Sequence, residues 1–297
     1  MSREYRTLDV PVKGGALRVG VWETDAPDAP TALLIHGVTS SHRAWPWLAE
    51  CLPDVRLIAP DLRGRGRSNG VTGAGGLAAH ADDMAAVLDA AGVQRTLVVG
   101  HSMGAFVALA FAHRHPQRVA SLLLVDGGLP LDVPEGLDAD TVVSHILGPT
   151  AERLNQRFAD HAAYLAFWRD HPAFQAAWSD QLEEYFVYDL SPDGDLLRPA
   201  TSYRTTVDDT VDMNTGATLP AALDALSHDT VLLTVPRGLR DELPGLYPPA
   251  HLQPLLERMP HVRHHLIKGM NHYTIVLSGH GAAAVAGHVR KALAPTR

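Results

Sequence analysis

One serine of the chain lies in a sequence setting that favours nucleophilic chemistry. Ser102 is the centre of a G-x-S-x-G sequence at 100–104, which follows a branched-aliphatic run at 96–99 and precedes a helical pattern at 103–114. This order predicts a strand, a tight turn and a helix, which together raise the serine hydroxyl above the edge of a sheet. The free N–H groups of the helix N-terminus favour a developing oxyanion. We therefore predict that Ser102 is the nucleophile of an acyl-transfer reaction.

A serine hydroxyl needs a general base near neutral pH, and a histidine is the usual one. The chain has 17 histidines, and His272 differs from the rest by its position in GMNHY at 269–273, directly after a predicted strand at 263–267. Loops at the carboxyl ends of parallel strands meet at one edge of the sheet. His272 is therefore the predicted base. His36 is the alternative histidine, and we interpret it as structural because it closes the strand at 31–36.

Two aspartates compete for the role of the acid that orients the imidazole. Asp241 follows the predicted strand at 230–235 by a short loop, and Asp126 ends the predicted strand at 121–125. Both lie at carboxyl ends of strands, so both can reach His272. We favour Asp241 and keep Asp126 as the alternative.

An oxyanion hole needs two backbone donors. The N–H of Met103, directly after the nucleophile, is the first candidate. The second comes from the loop that follows the strand at 31–36, where Gly37 permits a turn and Val38 supplies the N–H.

Short apolar runs alternate with longer amphipathic stretches along most of the chain. The runs read as strands buried on both faces, which is typical of a parallel sheet. They lie at 31–36, 55–60, 96–100, 121–125, 230–235 and 263–267, and helical patterns lie at 77–91, 103–114, 249–258 and 280–294. The first 22 residues alternate in the manner of an antiparallel edge. The pattern predicts an α/β fold with a mostly parallel, twisted, eight-stranded sheet between layers of helices.

One segment interrupts this alternation. Residues 130–225 carry 17 acidic side chains against five arginines, and they hold ten of the 18 aromatic residues. We predict that they form an inserted helical cap whose aromatic inner face lines a pocket. The core domain is then formed by residues 1–129 and 226–297.

Composition excludes several classes of protein. The formal net charge of −8 and the pI near 6.1 argue against a nucleic-acid binder, which needs a basic face. The single cysteine, Cys51, excludes an intrachain disulfide, and no Cys/His cluster or H-E-x-x-H sequence indicates a metal site. The chain has no apolar run of signal-peptide or membrane-spanning length, so we expect a cytoplasmic protein without membrane contact, as a monomer or a homodimer.

The chain resembles the α/β-hydrolase-fold serine hydrolases, from about residue 5 to 295. The sequences that carry the resemblance are HG at 36–37, DLRGRGRS at 61–68, GHSMGA at 100–105, LLLVDGG at 122–128 and GMNHYT at 269–274. The resemblance implies Ser102 as nucleophile, His272 as base, and Val38 and Met103 as oxyanion donors. Family members usually carry the acid after the seventh strand, which favours Asp241. In this chain the loop after the seventh strand is longer than is usual in the family. Some family members carry the acid after the sixth strand, so Asp126 stays the alternative.

The resemblance also implies an activity that needs no cofactor. We expect hydrolysis of a small to medium, largely apolar ester or lactone through an acyl-enzyme. Cleavage of a carbon–carbon bond or an amide by the same triad is the alternative within hydrolases. A small-molecule receptor and a cofactor-free oxidoreductase or perhydrolase are the alternatives outside them.

Overall fold

A sheet of eight strands forms the centre of the molecule. The computed structural model describes residues 4–26, 28–132, 141 and 149–294. The strand order is β1-β2-β4-β3-β5-β6-β9-β10, and the five pairings from β4 to β10 are parallel, whereas β1 and β2 extend the sheet with antiparallel pairings. The strands of this sheet are β1 Tyr5–Val12, β2 Gly15–Trp22, β3 Thr31–Ile35, β4 Arg56–Pro60, β5 Thr96–His101, β6 Val119–Val125, β9 Thr230–Thr234 and β10 Val262–Leu266. The prediction of a mostly parallel eight-stranded sheet with an antiparallel edge is confirmed.

Both faces of the sheet are buried at its central strands, and successive side chains of these strands point to opposite faces. In β3, Ala32 and Leu34 pack into one hydrophobic cluster, while Leu33 and Ile35 pack into the other. The same alternation runs through β5 and β6. This double burial explains why the strands read as unbroken apolar runs.

Helices cover each face. The α-helices of the described residues outside the predicted cap are α1 Pro46–Cys51, α2 Leu77–Ala90, α3 Met103–Arg114, α9 Pro249–Glu257 and α10 Gly279–Leu293. Helices α1 and α10 contribute buried residues to one cluster, and α2, α3 and α9 contribute to the other. The predicted layers of helices on both sides of the sheet are therefore present.

The segment predicted as a cap contains helices and a short hairpin. Its described elements are α4 Pro149–Leu154, α5 His161–Arg169, α6 Asp180–Tyr188, β7 Leu190–Asp193, β8 Leu196–Pro199, α7 Tyr203–Thr215 and α8 Thr218–Asp224. The antiparallel pair β7–β8 was not expected from the sequence, and residues 194–195 form the turn between its strands. Helix α8 packs against α3 of the core. Residues 133–140 and 142–148 of the predicted cap lie outside the described residues.

Over the described part of the chain, no helix is both long enough and apolar enough to cross a membrane.

Candidate active site

Ser102 lies at the turn between β5 and α3, as the sequence predicts. Its φ of 54° and ψ of −125° put a non-glycine residue in a region that side chains rarely adopt. The surrounding backbone leaves no room for side chains at the neighbouring glycines. A Cβ on Gly104 would overlap the carbonyl of Ile35, and one on Gly127 would overlap the carbonyl of Ser102. The glycines therefore allow the helix and the next strand to approach the strained serine.

His272 and Asp126 form a buried pair beside this turn. The Nδ1 atom of His272 lies 2.6 Å from Oδ2 of Asp126, and both side chains are almost fully shielded from solvent. An ionised carboxylate only accepts hydrogen bonds, so Nδ1 carries the proton and Nε2 keeps its lone pair. That is the tautomer a general base requires.

Asp126 is held in place from two sides. It follows β6 with a φ of 46°, its backbone N–H donates to the carbonyl of Leu233 at 2.7 Å, and its Oδ1 accepts from the N–H of Val235 at 3.2 Å. Anchored to the neighbouring β9 segment in this way, the carboxylate has its other oxygen free for the imidazole.

The structure places Asp241 elsewhere, which differs from the expectation that favoured it. Its carboxylate contacts Nη1 of Arg237 at 3.4 Å and accepts from the side-chain amide of Asn271 at 3.1 Å. The side chain is 40% exposed. The loop after β9 carries Asp241 to the surface beside the residue that precedes His272, and the contact with the imidazole itself belongs to Asp126.

A second histidine supports the backbone of His272. Nε2–H of His101 donates to the carbonyl of His272 at 2.8 Å, and the two ring centroids lie 4.8 Å apart. Burial, with the neighbouring His272 as a further cause, holds the pKa of His101 well below its ordinary value. His101 is therefore neutral and fixes the loop that carries the predicted base.

His36 orients the loop predicted to supply an oxyanion donor. Its Nε2 accepts from the N–H of Leu62 at 2.9 Å, so Nδ1 carries the proton and donates to the carbonyl of Gly37 at 2.7 Å. That carbonyl belongs to the same planar peptide as the N–H of Val38. Burial lowers the pKa of His36 to about 3, which keeps the ring neutral. The structural role predicted for His36 thus includes the alignment of the Val38 N–H.

A single cavity brings the predicted residues together. Ser102, His272, Asp126, Val38 and Met103 all line it. Its other walls are mostly apolar and come from both the core and the predicted cap: Phe106, Leu131, Trp168, Phe174, Phe186, Met213, Leu239, Leu246, Val276 and Leu277. A concave apolar pocket with a few convergent polar groups is the usual form of a small-molecule site.

The aromatic wall of this cavity belongs to the predicted cap. The rings of Trp168 and Phe186 stack with centroids 4.4 Å apart, and Phe174 meets Phe186 edge-on at 5.1 Å. Phe174 also lies 5.0 Å from Tyr273, the residue after the predicted base. The sequence identified ten aromatic residues in this segment but carried no signal that could select those facing the cavity.

The carboxylates that line the cavity are both paired. Asp126 is bonded to His272, and Asp189 accepts from Nη1 of Arg153 at 2.7 Å and from the hydroxyl of Tyr164 at 2.6 Å. Sequence analysis did not identify Asp189 or its buried partner Arg153, because an Arg–Asp pair separated by 36 residues has no local pattern. Among the described residues, the cavity wall therefore carries no uncompensated acidic charge.

Comparison with known proteins identifies the fold family of the chain. The profile of the alpha/beta hydrolase fold family matches residues 30–207. The lipase LipV of Mycobacterium tuberculosis is 39% identical over 141 residues, which cover 45% of this chain and 54% of that protein. A putative carbamate hydrolase, RutD, of Agrobacterium fabrum is 31% identical over 170 residues, which cover 56% and 60%. The chain thus spans a little over half the length of these relatives.

Solved structures share the whole fold at lower identity. The crystal structure of E-2-(acetamidomethylene)succinate hydrolase has a TM-score of 0.76 and 19% identity over 97% of this chain and all of that one. A thermophilic esterase from Thermogutta terrifontis has a TM-score of 0.67 and 22% identity over 97% of this chain and all of that one. With the profile match over more than half of the chain, these likenesses show that the protein belongs to the α/β-hydrolase fold family.

Proposed function

We propose that this protein is a serine hydrolase that cleaves a carboxylic ester or lactone. The observation that carries the proposal is the buried hydrogen bond between Asp126 and His272 in the cavity that Ser102 also lines. A buried carboxylate that fixes a histidine tautomer beside a partly buried, strained serine is the arrangement of an acyl-transfer triad. Asp126, rather than Asp241, takes the part of the acid in this proposal.

The geometry supports a two-step mechanism. Nε2 of His272 takes the proton of Ser102 as Oγ attacks the carbonyl carbon, and the negative charge moves to the carbonyl oxygen. The N–H groups of Val38 and Met103 stabilise that oxyanion. The protonated His272 then gives its proton to the departing alcohol oxygen. Water, deprotonated by His272, then attacks the acyl carbon. The bond from that carbon to Oγ of Ser102 breaks, His272 returns its proton to Oγ, and the carboxylic acid leaves.

The cavity supports a neutral, largely apolar substrate. Its lining is dominated by aromatic and aliphatic side chains, and its acids are paired with His272 and Arg153. Binding there removes apolar surface from water, which favours a substrate with alkyl or aryl groups on either side of the ester.

One relative favours a second bond type. The similarity to a putative carbamate hydrolase makes an amide-type bond the alternative to the ester, with the same residues in the same roles. An assay panel should therefore include a carbamate and an anilide beside esters and lactones.

The decisive measurement is hydrolysis of p-nitrophenyl esters from C2 to C12, with γ- and δ-lactones beside them. We expect multiple turnovers, with an optimum chain length set by the aromatic wall. Ser102→Ala should lower kcat by at least about 10⁴-fold, because the nucleophile is lost. A fluorophosphonate should label Ser102 in the wild type, with the adduct located by mass spectrometry.

Ser121→Ala is the matched control, because Ser121 is a buried serine on β6 outside the cavity lining. It should retain the wild-type rate. If only the carbamate or the anilide is hydrolysed, the substrate is an amide-type compound rather than an ester. No turnover of any substrate by the folded protein would contradict the proposal and favour a receptor.

A further inference from the structure

A buried arginine lies directly under the loop predicted to hold the oxyanion. Nε of Arg65 donates to the carbonyl of Val38 at 2.8 Å, and its Nη2 lies 3.8 Å from Sδ of Met103. Its Nη1 donates to the carbonyl of Arg63 at 2.9 Å. The side chain is fully buried. One guanidinium thus contacts both residues that supply the proposed oxyanion donors.

The charge of this arginine is balanced by a residue from the predicted cap. Asp209 on α7 forms a fully buried ion pair with Arg65. Asp209 also accepts from the backbone N–H of Gly76 at 2.6 Å and lies 3.0 Å from Nε2 of His80. Burial by itself raises the pKa of this carboxyl, but His80 and Arg65 beside it bring the pKa below its ordinary value. Asp209 is therefore ionised, and it joins α7 to both Arg65 and the start of α2.

We propose that Arg65 is a positioning residue for the oxyanion hole, and that Asp209 makes its placement depend on the cap segment. Two peptide planes meet at Val38: His36 fixes the first through the carbonyl of Gly37, and Arg65 fixes the second through the carbonyl of Val38. The Val38 N–H lies in the first plane. Because the second plane is held as well, Val38 cannot turn about its own backbone torsions, and the direction of its N–H is determined. The inference rests on the proposed function, because it takes Val38 and Met103 as oxyanion donors.

The contacts require an arginine rather than any cation. They leave the guanidinium from two nitrogens and in different directions: Nε points toward the carbonyl of Val38, and Nη1 points toward the carbonyl of Arg63 and the carboxylate of Asp209. A guanidinium offers a rigid planar fork of donors, whereas a lysine ammonium presents its donors from one nitrogen. A lysine at this position can keep the ion pair with Asp209 only by giving up the carbonyl of Val38.

Arg65→Lys is the principal test variant, and Asp209→Asn is the second. For Arg65→Lys we expect kcat to fall by about 10- to 100-fold on the best ester, while KM stays within about threefold. Removal of an oxyanion donor costs about 10²–10³-fold in kcat, and here the donor is displaced rather than removed. Asp209→Asn should lower kcat by a smaller factor, because the amide oxygen of the asparagine still accepts a hydrogen bond from Arg65.

The second measurement is inhibition by a trifluoromethyl ketone that carries the acyl chain of that ester. A general loss of stability does not change the inhibition constant of the folded protein. Ser102 Oγ adds to its carbonyl carbon, the serine proton passes to His272, and the former carbonyl oxygen becomes an oxyanion in the hole. The inhibition constant should rise by the same factor by which kcat/KM falls. The matching secondary alcohol cannot form this adduct, so its inhibition constant should not change.

Arg63→Lys is the matched control from the same segment. Arg63 forms a buried ion pair with Asp83, at 2.7 and 2.8 Å, and it also donates to the carbonyl of Ala74 at 3.1 Å. It should lower thermal stability with little change in kcat or in ketone affinity. The inference is overturned if folded Arg65→Lys keeps kcat, or loses no more ketone affinity than Arg63→Lys does.

Asp209→Asn decides in the same way if Arg65→Lys does not fold: a selective loss of ketone affinity supports the inference, and wild-type affinity overturns it. A wild type that turns over no ester fails at an earlier stage, because the proposed function falls and this inference falls with it. If the wild type hydrolyses esters and Arg65→Lys changes neither kcat nor ketone affinity, only the positioning role of Arg65 is overturned.

Discussion

Asp126 occupies a position in which its carboxylate has a single orientation available. One oxygen is held by the N–H of Val235, and the other lies on Nδ1 of His272. The carbonyl of His272 is held in turn by His101, so neither partner of the pair can rotate without breaking a buried hydrogen bond. Leaving such a group unsatisfied costs about 1–3 kcal/mol. The residues around the proposed base therefore restrict it to one tautomer and one orientation, and this tautomer is the one that the proposed mechanism requires.

Replacing each aspartate by asparagine separates the two candidate acids. Asp126→Asn presents an amide to His272 and favours the wrong imidazole tautomer, so we expect kcat to fall by about 10⁴-fold. Asp241→Asn changes a half-exposed surface contact and should alter kcat by less than about threefold. Steady-state kinetics on the best ester, with circular dichroism to verify folding, compares the two. A crippled Asp241→Asn beside an active Asp126→Asn would reverse the assignment.

At the scale of residues, the sequence predicts which side chains line the cavity better than it predicts which of them form hydrogen bonds with one another. Ser102 and His272 carry local signals, a strand–turn–helix motif and a position directly after a strand. The choice of acid depends on a contact between residues 126 and 272, and both aspartates follow strands. One signal lies in Asp126-Gly127-Gly128, because Gly127 must approach the backbone of Ser102. The path of the loop after β9, which sets the direction of Asp241, has no comparable signal.

The turn from β5 to α3 depends on close approach between backbones. Gly104, in the first turn of α3, lies against the carbonyl of Ile35 at the end of β3. The obstruction is backbone of the central sheet rather than the end of a flexible side chain, so it cannot move aside at little cost.

Gly104→Ala should therefore destabilise the fold by about 1–3 kcal/mol or more, as overpacking of a core does. Gly287 is the matched control, because it lies mid-helix in α10, exposed, with nothing near its Cβ position. Gly287→Ala should stabilise by about 0.5–1 kcal/mol through helix propensity alone. Urea unfolding of both variants gives the comparison, and a Gly104→Ala protein as stable as wild type would show that α3 can move away from β3.

The elements of the core were predictable, whereas those of the cap were predictable only in part. Strands buried on both faces produce apolar runs, and these runs locate β3, β5, β6 and β9. The hairpin β7–β8 lies outside the main sheet, its strands have four residues each, and it includes Pro192. It is buried only at its ends, Leu190 and Pro199, so it leaves no such run in the sequence.

Over the whole molecule, polar contacts join the cap segment to the core around the cavity. The hydroxyl of Tyr185 donates to Ser40 at 3.0 Å, and that of Tyr188 donates to Asp61 at 2.7 Å. Asp209 reaches Arg65 on the other side. The cavity is lined by residues of the cap segment and by residues of both hydrophobic clusters that flank the sheet.

Because two histidines are buried in the neutral form, the free energy of unfolding of the whole molecule should depend on pH. Burial lowers the pKa of His36 to about 3, from an ordinary value of 6.5, and it lowers that of His101 in the same direction. Between about pH 6.5 and 3 the unfolded chain therefore binds protons that the folded chain does not, so the free energy of unfolding decreases as pH falls. The carboxyl of Asp61, with a pKa of about 2, acts with the same sign only below about pH 4.

Urea unfolding at pH 7, 6 and 5 measures this effect within the range where the histidines dominate. We expect His36 alone to account for about 2 kcal/mol between pH 7 and 5, since each pH unit below its unfolded pKa is worth about 1.4 kcal/mol. His36→Asn keeps a donor for the carbonyl of Gly37 but does not titrate, so its stability should depend on pH less steeply by about that amount. His261→Asn, at an exposed histidine, should keep the wild-type slope. Equal slopes in His36→Asn and the wild type would mean that His36 is protonated in the folded protein at pH 5, and a doubly protonated ring cannot accept from the N–H of Leu62 as the structure requires.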